Sequence, residues 1–148
     1  MAFKRAERRH RLKTRDYAQL AAFRYTLRRF LRFSEQAAAE AGLTAQHYQT
    51  MLVLRAGGDR VRLSINDLAR QLLIKHNSAV GLVDRLVAEG LVARTPSRVD
   101  RRKVELSLTP RGAALLAKLA AVHRHELRHL GPTLTRVVAD LVHYSRGG

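Results

Sequence analysis

The stretch SINDLARQLLIKHNSAVGLVDRLVAEGLV, Ser64 to Val92, holds two amphipathic helices in close succession. Ser64-x-x-Asp67 has the spacing of a capping box, and Ile65, Leu68, Ala69, Leu72 and Leu73 recur with the period of a helix that buries one face. A few residues on, Ala79, Leu82, Val83, Leu86 and Val87 repeat that period over Lys75 to Gly90. Two helices so closely joined predict a helix-turn-helix, which presents its second helix outward. The opening turn of that second helix is unusual. His76, Asn77, Ser78 and Gly81 are small or hydrogen-bonding where a surface helix usually carries Lys and Glu. Gly81 alone costs a helix interior about 0.5–1 kcal/mol relative to Ala, which suggests close approach to something.

After Gly90 the apolar period drops from 3.6 to 2. Leu91 to Thr95 and Lys103 to Leu108 read as strands around the basic turn PSRVDRR, a hairpin. Helix-turn-helix followed by hairpin predicts a mainly α fold with a small β-hairpin wing: a winged helix-turn-helix domain flanked by N- and C-terminal dimerisation helices. The second helix of such a motif sets its first turn against base edges in the DNA major groove. Asn77 can pair bidentately with adenine, and His76 and Ser78 can reach bases or phosphates; Lys75 and Arg85 complete the candidate recognition-helix contacts. The plainer alternative is a helix start that Asn77 or Ser78 merely caps. At the wing tip, Arg98, Arg101, Arg102 and Lys103 can enter a minor groove or clamp phosphate. Asp100 among them fits a polyanion binder if it accepts a bond from a neighbouring Arg and fixes its direction.

Outward from this centre, residues 1–15 form a basic arm without sustained apolar period, and a long helix is expected from Asp16 to Ala41. Thr44 is placed to cap a second helix that Gly57-Gly58 stops, and residues 61–63 are a stub of strand. Thr109-Pro110 opens a fifth helix to about His129; Gly131-Pro132 is expected to break it before a last helix with Leu134, Val137, Val138, Leu141 and Val142 as its stripe. The expected division is 1–15 arm, 16–60 dimerisation and second helices, 61–110 winged helix-turn-helix, and 111–148 C-terminal helices completing the dimerisation region. The first and last helices carry more Leu, Phe and Val than one small domain needs, and a two-fold dimer would bury them isologously.

Charge narrows the partner. Twenty-eight Lys and Arg against 12 Asp and Glu give +16 over 148 residues, a field that attracts nucleic acid or an anionic surface. An interfacial membrane helix wants a Trp/Phe/Leu-rich face, and the apolar stripes here are short, Ala-rich and accounted for as core. Without a long apolar run or a secretory signal, a cytoplasmic location is expected. The lack of Cys excludes disulfides, thiolate metal sites and a thiol switch. No Gly-rich phosphate loop, nucleophile elbow or paired carboxylate argues for an enzyme, and no cofactor is expected. His125 and His129 have the i, i+4 spacing that can place two imidazoles on one metal, but a third and fourth ligand are lacking, so they and His123 read as exposed or interhelical. The rival function is a sequence-indifferent architectural protein that binds nucleic acid by charge alone.

From about Asp16 onward the chain resembles the MarR family of transcriptional regulators. The resemblance rests on Val83-Asp84-Arg85-Leu86 leading into Glu89-Gly90-Leu91-Val92, on Asp100-Arg101-Arg102, on Leu108-Thr109-Pro110-Arg111-Gly112, and on LTAQHYQTMLVLRAGG as second helix. It implies a homodimer with interlocked terminal helices that reads a pseudo-palindromic operator in double-stranded DNA, often as a repressor released by a small phenolic or lipophilic effector. It gives Asp100 and Arg102 the parts of the family's wing carboxylate and minor-groove arginine. It also makes His47, Tyr48 and Gln49 candidates for effector-pocket polarity, with an interhelical hydrogen-bond role as the equal alternative. Lys75 stands where a capping Ser is frequent and Gly81 where a longer polar residue is frequent, so base preference does not carry over.

Overall fold

The computed structural model describes residues 12–58 and 62–143. Most of the expected basic arm therefore lies outside the described residues, and Thr14 and Arg15 already belong to the first helix. The elements run α1 (Thr14–Glu40), α2 (Ala45–Ala56), α3 (Ile65–Leu72), α4 (His76–Ala88), β1 (Val92–Pro96), β2 (Val104–Leu108) and α5 (Pro110–His143). They fall into two compact units, one of residues 33–125 and one of the described residues up to 32 and from 126.

The larger unit is built on local signals that agree with one another. At α2, Thr44 Oγ1 accepts from the His47 amide at 3.2 Å while the Thr44 amide donates to His47 Nδ1 at 3.1 Å, a capping box with histidine in the place of Glu or Gln. At α3, Ser64 and Asp67 make the same reciprocal pair at 3.2 and 3.0 Å. The Ser64 amide and hydroxyl hold the Asp67 carboxyl below the usual carboxylate range. Thr109 Oγ1 accepts from the Gly112 amide at 3.0 Å and starts α5 with Pro110 at its first position. The α3 helix ends on Leu73 in the left-handed region at φ 55°, a conformation that favours glycine, with the side chain almost wholly in solvent.

These helices pack around Met51, Leu68, Val83 and Leu86, all fully buried, with Leu43, Leu54, Leu91, Leu106, Leu116 and Leu119 closing the core. The stripe predicted for α4 is the one that is buried: Ala79, Leu82, Val83 and Leu86. Strands β1 and β2 pair antiparallel with Val92 opposite Leu108 and Pro96 opposite Val104. The stub near residue 63 joins them through one bridge, with the Leu106 amide donating to the Leu63 carbonyl at 2.9 Å. The start of α5 is clamped to the end of α4: Thr109 Oγ1 donates to the Gly90 carbonyl at 2.6 Å and Arg111 to the Glu89 carbonyl at 2.9 Å.

One sequence expectation is overturned. Gly131-Pro132 does not break the chain; α5 runs through it as a single helix of 34 residues. Pro132 forfeits one internal hydrogen bond and crowds the carbonyl four residues back, at a cost of about 3 kcal/mol. Leu130 is buried beside it and Gly131, Thr133 and Leu134 are half-buried, so packing along the helix offsets that local loss.

Candidate nucleic-acid interface

Helix α4 begins with Lys75 in extended conformation as its N-cap, and no side chain caps it. Asn77 and Ser78 therefore do not serve the helix start. Lys75, His76, Asn77, Ser78 and Gly81 are all exposed, and a Cβ built on Gly81 meets nothing within 4 Å. Nothing inside the protein requires glycine there. The uncapped turn leaves backbone amides and the positive end of the helix dipole directed outward, a combination that favours an anionic or acceptor-rich partner. Among the described residues His76 is the one member whose side chain has a partner: Nδ1 lies 2.7 Å from Asn66 Oδ1 on α3 and ties the two helices of the motif together.

Arg85 sits differently from the rest of the predicted set. Its Nε donates to Glu89 at 3.1 Å and a terminal nitrogen reaches the Gly42 carbonyl at 3.4 Å, so it braces α4 against the approach to α2. The wing tip is exposed from Arg98 to Lys103 with the exception of none of its five candidate residues, and Arg98, Arg101, Arg102 and Lys103 make no ion pair among the described residues. Asp100 acts by another route than the expected bond from an Arg side chain. Its Oδ1 accepts from the Arg102 backbone amide at 3.0 Å, while Ser97 Oγ accepts from the Val99 and Asp100 amides at 3.2 and 3.3 Å. A short carboxylate closes a tight turn on a backbone amide more readily than it holds a long, solvated guanidinium. The cations are left free and the turn that carries them is fixed.

Two further residues shape this surface. Asp84 on α4 pairs with Arg94 on β1, linking the exposed helix to the wing and neutralising a carboxylate two turns after Asn77. The i, i+10 separation of this pair across a helix end and a strand gives no periodic signal in the sequence. Asn66, likewise, is an ordinary exposed position until His76 is seen beside it.

The effector candidates are each engaged within the larger unit. His47 is buried in the α2 capping box, and burial first, then the Arg85 charge, holds its pKa below the ordinary histidine value. Tyr48 is buried with its ring stacked on His123 at 3.9 Å between centroids, and burial raises its phenol. His123 Nδ1 donates to the Leu119 carbonyl at 2.7 Å, so Nε2 is left to accept from the Ser34 hydroxyl at 2.8 Å. Gln49 is half-buried. His125 and His129 are exposed, and no group of three potential metal ligands occurs among the described residues.

A helix-turn-helix with a slim, uncapped polar turn on its second helix and a cation-tipped hairpin beside it defines a winged helix-turn-helix protein. Residues 41–103 match the model of the MarR family. Among curated relatives it is 29% identical over 112 residues to the HTH-type transcriptional regulator PecS of Dickeya dadantii, covering 68% of each chain. It is 37% identical over 82 residues to the HTH-type transcriptional repressor NicR of Pseudomonas putida, over 55% of this chain and 50% of that one. The chain thus spans about half the length of NicR. A cysteine-to-serine mutant of MarR from E. coli, complexed with operator DNA, shares the fold at a TM-score of 0.67 and 22% identity, over 83% of this chain and 87% of that one. Both curated relatives are transcriptional regulators by name.

Proposed function

We propose that the protein is a sequence-specific, double-stranded-DNA-binding transcriptional regulator that works in the cytoplasm as a homodimer on a pseudo-palindromic operator, and that it is a repressor responsive to a small effector. The observation that carries the reading is the first turn of α4: Lys75, His76, Asn77, Ser78 and Gly81 are exposed, cap nothing, and stand at the N-terminus of the outward helix of the motif. Asn77 supplies bidentate adenine recognition, His76 and Ser78 reach bases or phosphates, and Lys75 and the wing cations hold the backbone and minor groove. Arg85, tied to Glu89 and Gly42, contributes by bracing the helix and adding charge at its far end. The names of the relatives, a regulator and a repressor, and the operator bound by the MarR mutant support the same reading.

The test is selection of bound duplexes from a random library near physiological salt, where charge-only attraction is screened. The expected product is an inverted repeat with half-sites about one helical turn apart, preferred by roughly 10³-fold or more over unrelated duplex. Asn77→Ala then relaxes base choice at one position per half-site at a cost of about 1–3 kcal/mol, whereas Arg102→Ala weakens binding to all sequences more evenly. An unenriched pool from protein freed of bound ligand would overturn the reading in favour of a charge-driven architectural binder.

A further inference from the structure

Val99 stands in the middle of the wing tip and is 96% exposed, the only apolar side chain from Arg98 to Lys103. A single exposed apolar residue is ordinary on a protein surface. The turn beneath this one is not. Ser97 is buried, its Oγ accepts from the Val99 and Asp100 amides at 3.2 and 3.3 Å, and its own amide donates to the Lys103 carbonyl at 2.9 Å. The Lys103 amide donates in turn to the Asp100 carbonyl at 2.9 Å. The backbone around Val99 is therefore fixed from both sides, while its side chain takes no part in the core. Tight turns are mostly filled by Gly, Pro, Asn, Asp and Ser, each for a backbone reason. A β-branched residue has no such reason there, and its restricted χ1 makes it a stiff projection that loses little freedom when seated against a partner.

The chemistry of the tip is one-sided. Arg98, Arg101, Arg102 and Lys103 present donors, Val99 presents methyl groups, and the acceptors are turned to the backbone: Asp100 Oδ1 takes the Arg102 amide at 3.0 Å, and Ser97 Oγ is buried under the turn. In the minor groove an A·T pair shows only acceptors, adenine N3 and thymine O2, whereas a G·C pair adds a donor, the guanine 2-amino group. Donors and methyl groups suit the A·T floor. Over a G·C pair the 2-amino group would lose its water and meet no acceptor, which is the costly way to bury a polar group. We propose that Val99 is a specificity-determining residue: it packs on the floor of the minor groove and selects A·T over G·C pairs by denying the guanine 2-amino group a partner. The arginines on either side hold the groove walls. This assignment rests on the DNA-binding part of the reading above.

Alternating inosine·cytosine and guanine·cytosine duplexes of equal length test it, because inosine lacks only the 2-amino group and the major-groove edge offered to α4 is unchanged. In titrations of the full chain at low salt, where any duplex is held by charge, the inosine duplex is expected to bind about tenfold more tightly than the guanine duplex. Val99→Asn supplies the amino group with a side-chain carbonyl, and is expected to bring the two duplexes within about twofold of each other. Because Val99 is exposed, this variant should melt with the parent. Arg98→Ala weakens binding to both duplexes and keeps their ratio. Equal binding of the two duplexes by the parent overturns the assignment. So does a ratio that survives Val99→Asn or vanishes in Arg98→Ala, since the cations would then be reading groove width. A chain that prefers the inosine duplex yet selects no inverted repeat from the random library sinks the sequence-specific regulator and leaves Val99 its role; a selected repeat without any inosine preference does the reverse.

Discussion

At His47 the sequence shows the place of a residue and leaves its task open. Its position on the second helix is plain from LTAQHYQ, which leaves pocket polarity and an interhelical hydrogen bond equally open, and in the structure its Nδ1 accepts the Thr44 amide and completes a cap. Capping boxes are recognised by Glu or Gln at the third position, so a histidine there passes unnoticed. The cap needs an unprotonated Nδ1, and burial with the nearby Arg85 charge lowers the pKa. Above the unfolded value near 6.5, neutral His47 contributes its full share to stability; as pH falls below that and through the lower folded value, the contribution is lost, because the unfolded chain takes up the proton first. Melting temperature is therefore expected to drop between pH 7 and pH 5. His47→Gln, which keeps an acceptor, should melt with a shallower pH dependence than the parent over that range. Parallel curves for the two proteins would exclude the role.

At the scale of elements, the junction of α4 and α5 is the most demanding part of the larger unit. Gly112 lies directly against Leu91, where an added Cβ would collide with the Leu91 carbonyl and come within 2.9 Å of its carbon. Backbone, not a flexible side-chain end, is what would have to move, and that backbone also receives the Thr109 amide at 3.1 Å. Gly112→Ala is expected to destabilise the fold by about 2–4 kcal/mol in chemical denaturation, as overpacking and a broken clamp together would. The capping boxes, the α4 stripe and the hairpin were legible because each is a local signal repeated within a few residues. Pro132 was not, since its local cost is certain while the packing that offsets it depends on residues far away in the chain. The Asp84–Arg94 pair belongs to the same class: its partners meet only after a helix has ended and a strand has turned back.

For the whole molecule, the smaller unit leaves much apolar surface uncovered in a single chain. Tyr17 and Tyr25 are each 61% exposed, Leu20, Leu31 and Leu127 more than 40%, and Val142 58%. Val142 belongs to the apolar stripe that the sequence gives the last helix, yet one chain does not bury it or the others, which is the expected result if a second copy does. The full chain should sediment at twice the mass of one chain. Leu127→Asp with Val142→Asp should shift it to monomer and weaken operator binding by more than tenfold, since two half-sites could no longer be held together. A monomeric parent at micromolar concentration would end the dimer reading. No helix among the described residues is long and apolar enough to cross a membrane.

The sequence by itself determined the order of elements up to the start of α5, the helix-turn-helix and its wing, and the polar, slim turn at Asn77, because periodicity, caps and turn residues act over distances of a few residues. The tertiary structure decided what those residues do once neighbours remote in the chain arrive. Asn77 and Ser78 are released from capping, Asp100 holds the Arg102 backbone and not a guanidinium, Arg85 braces α4, and α5 continues past Pro132. Hydrogen bonds and burial between such residues depend on which groups compete for each donor and on what packing surrounds them, and neither is written in spacing along the chain.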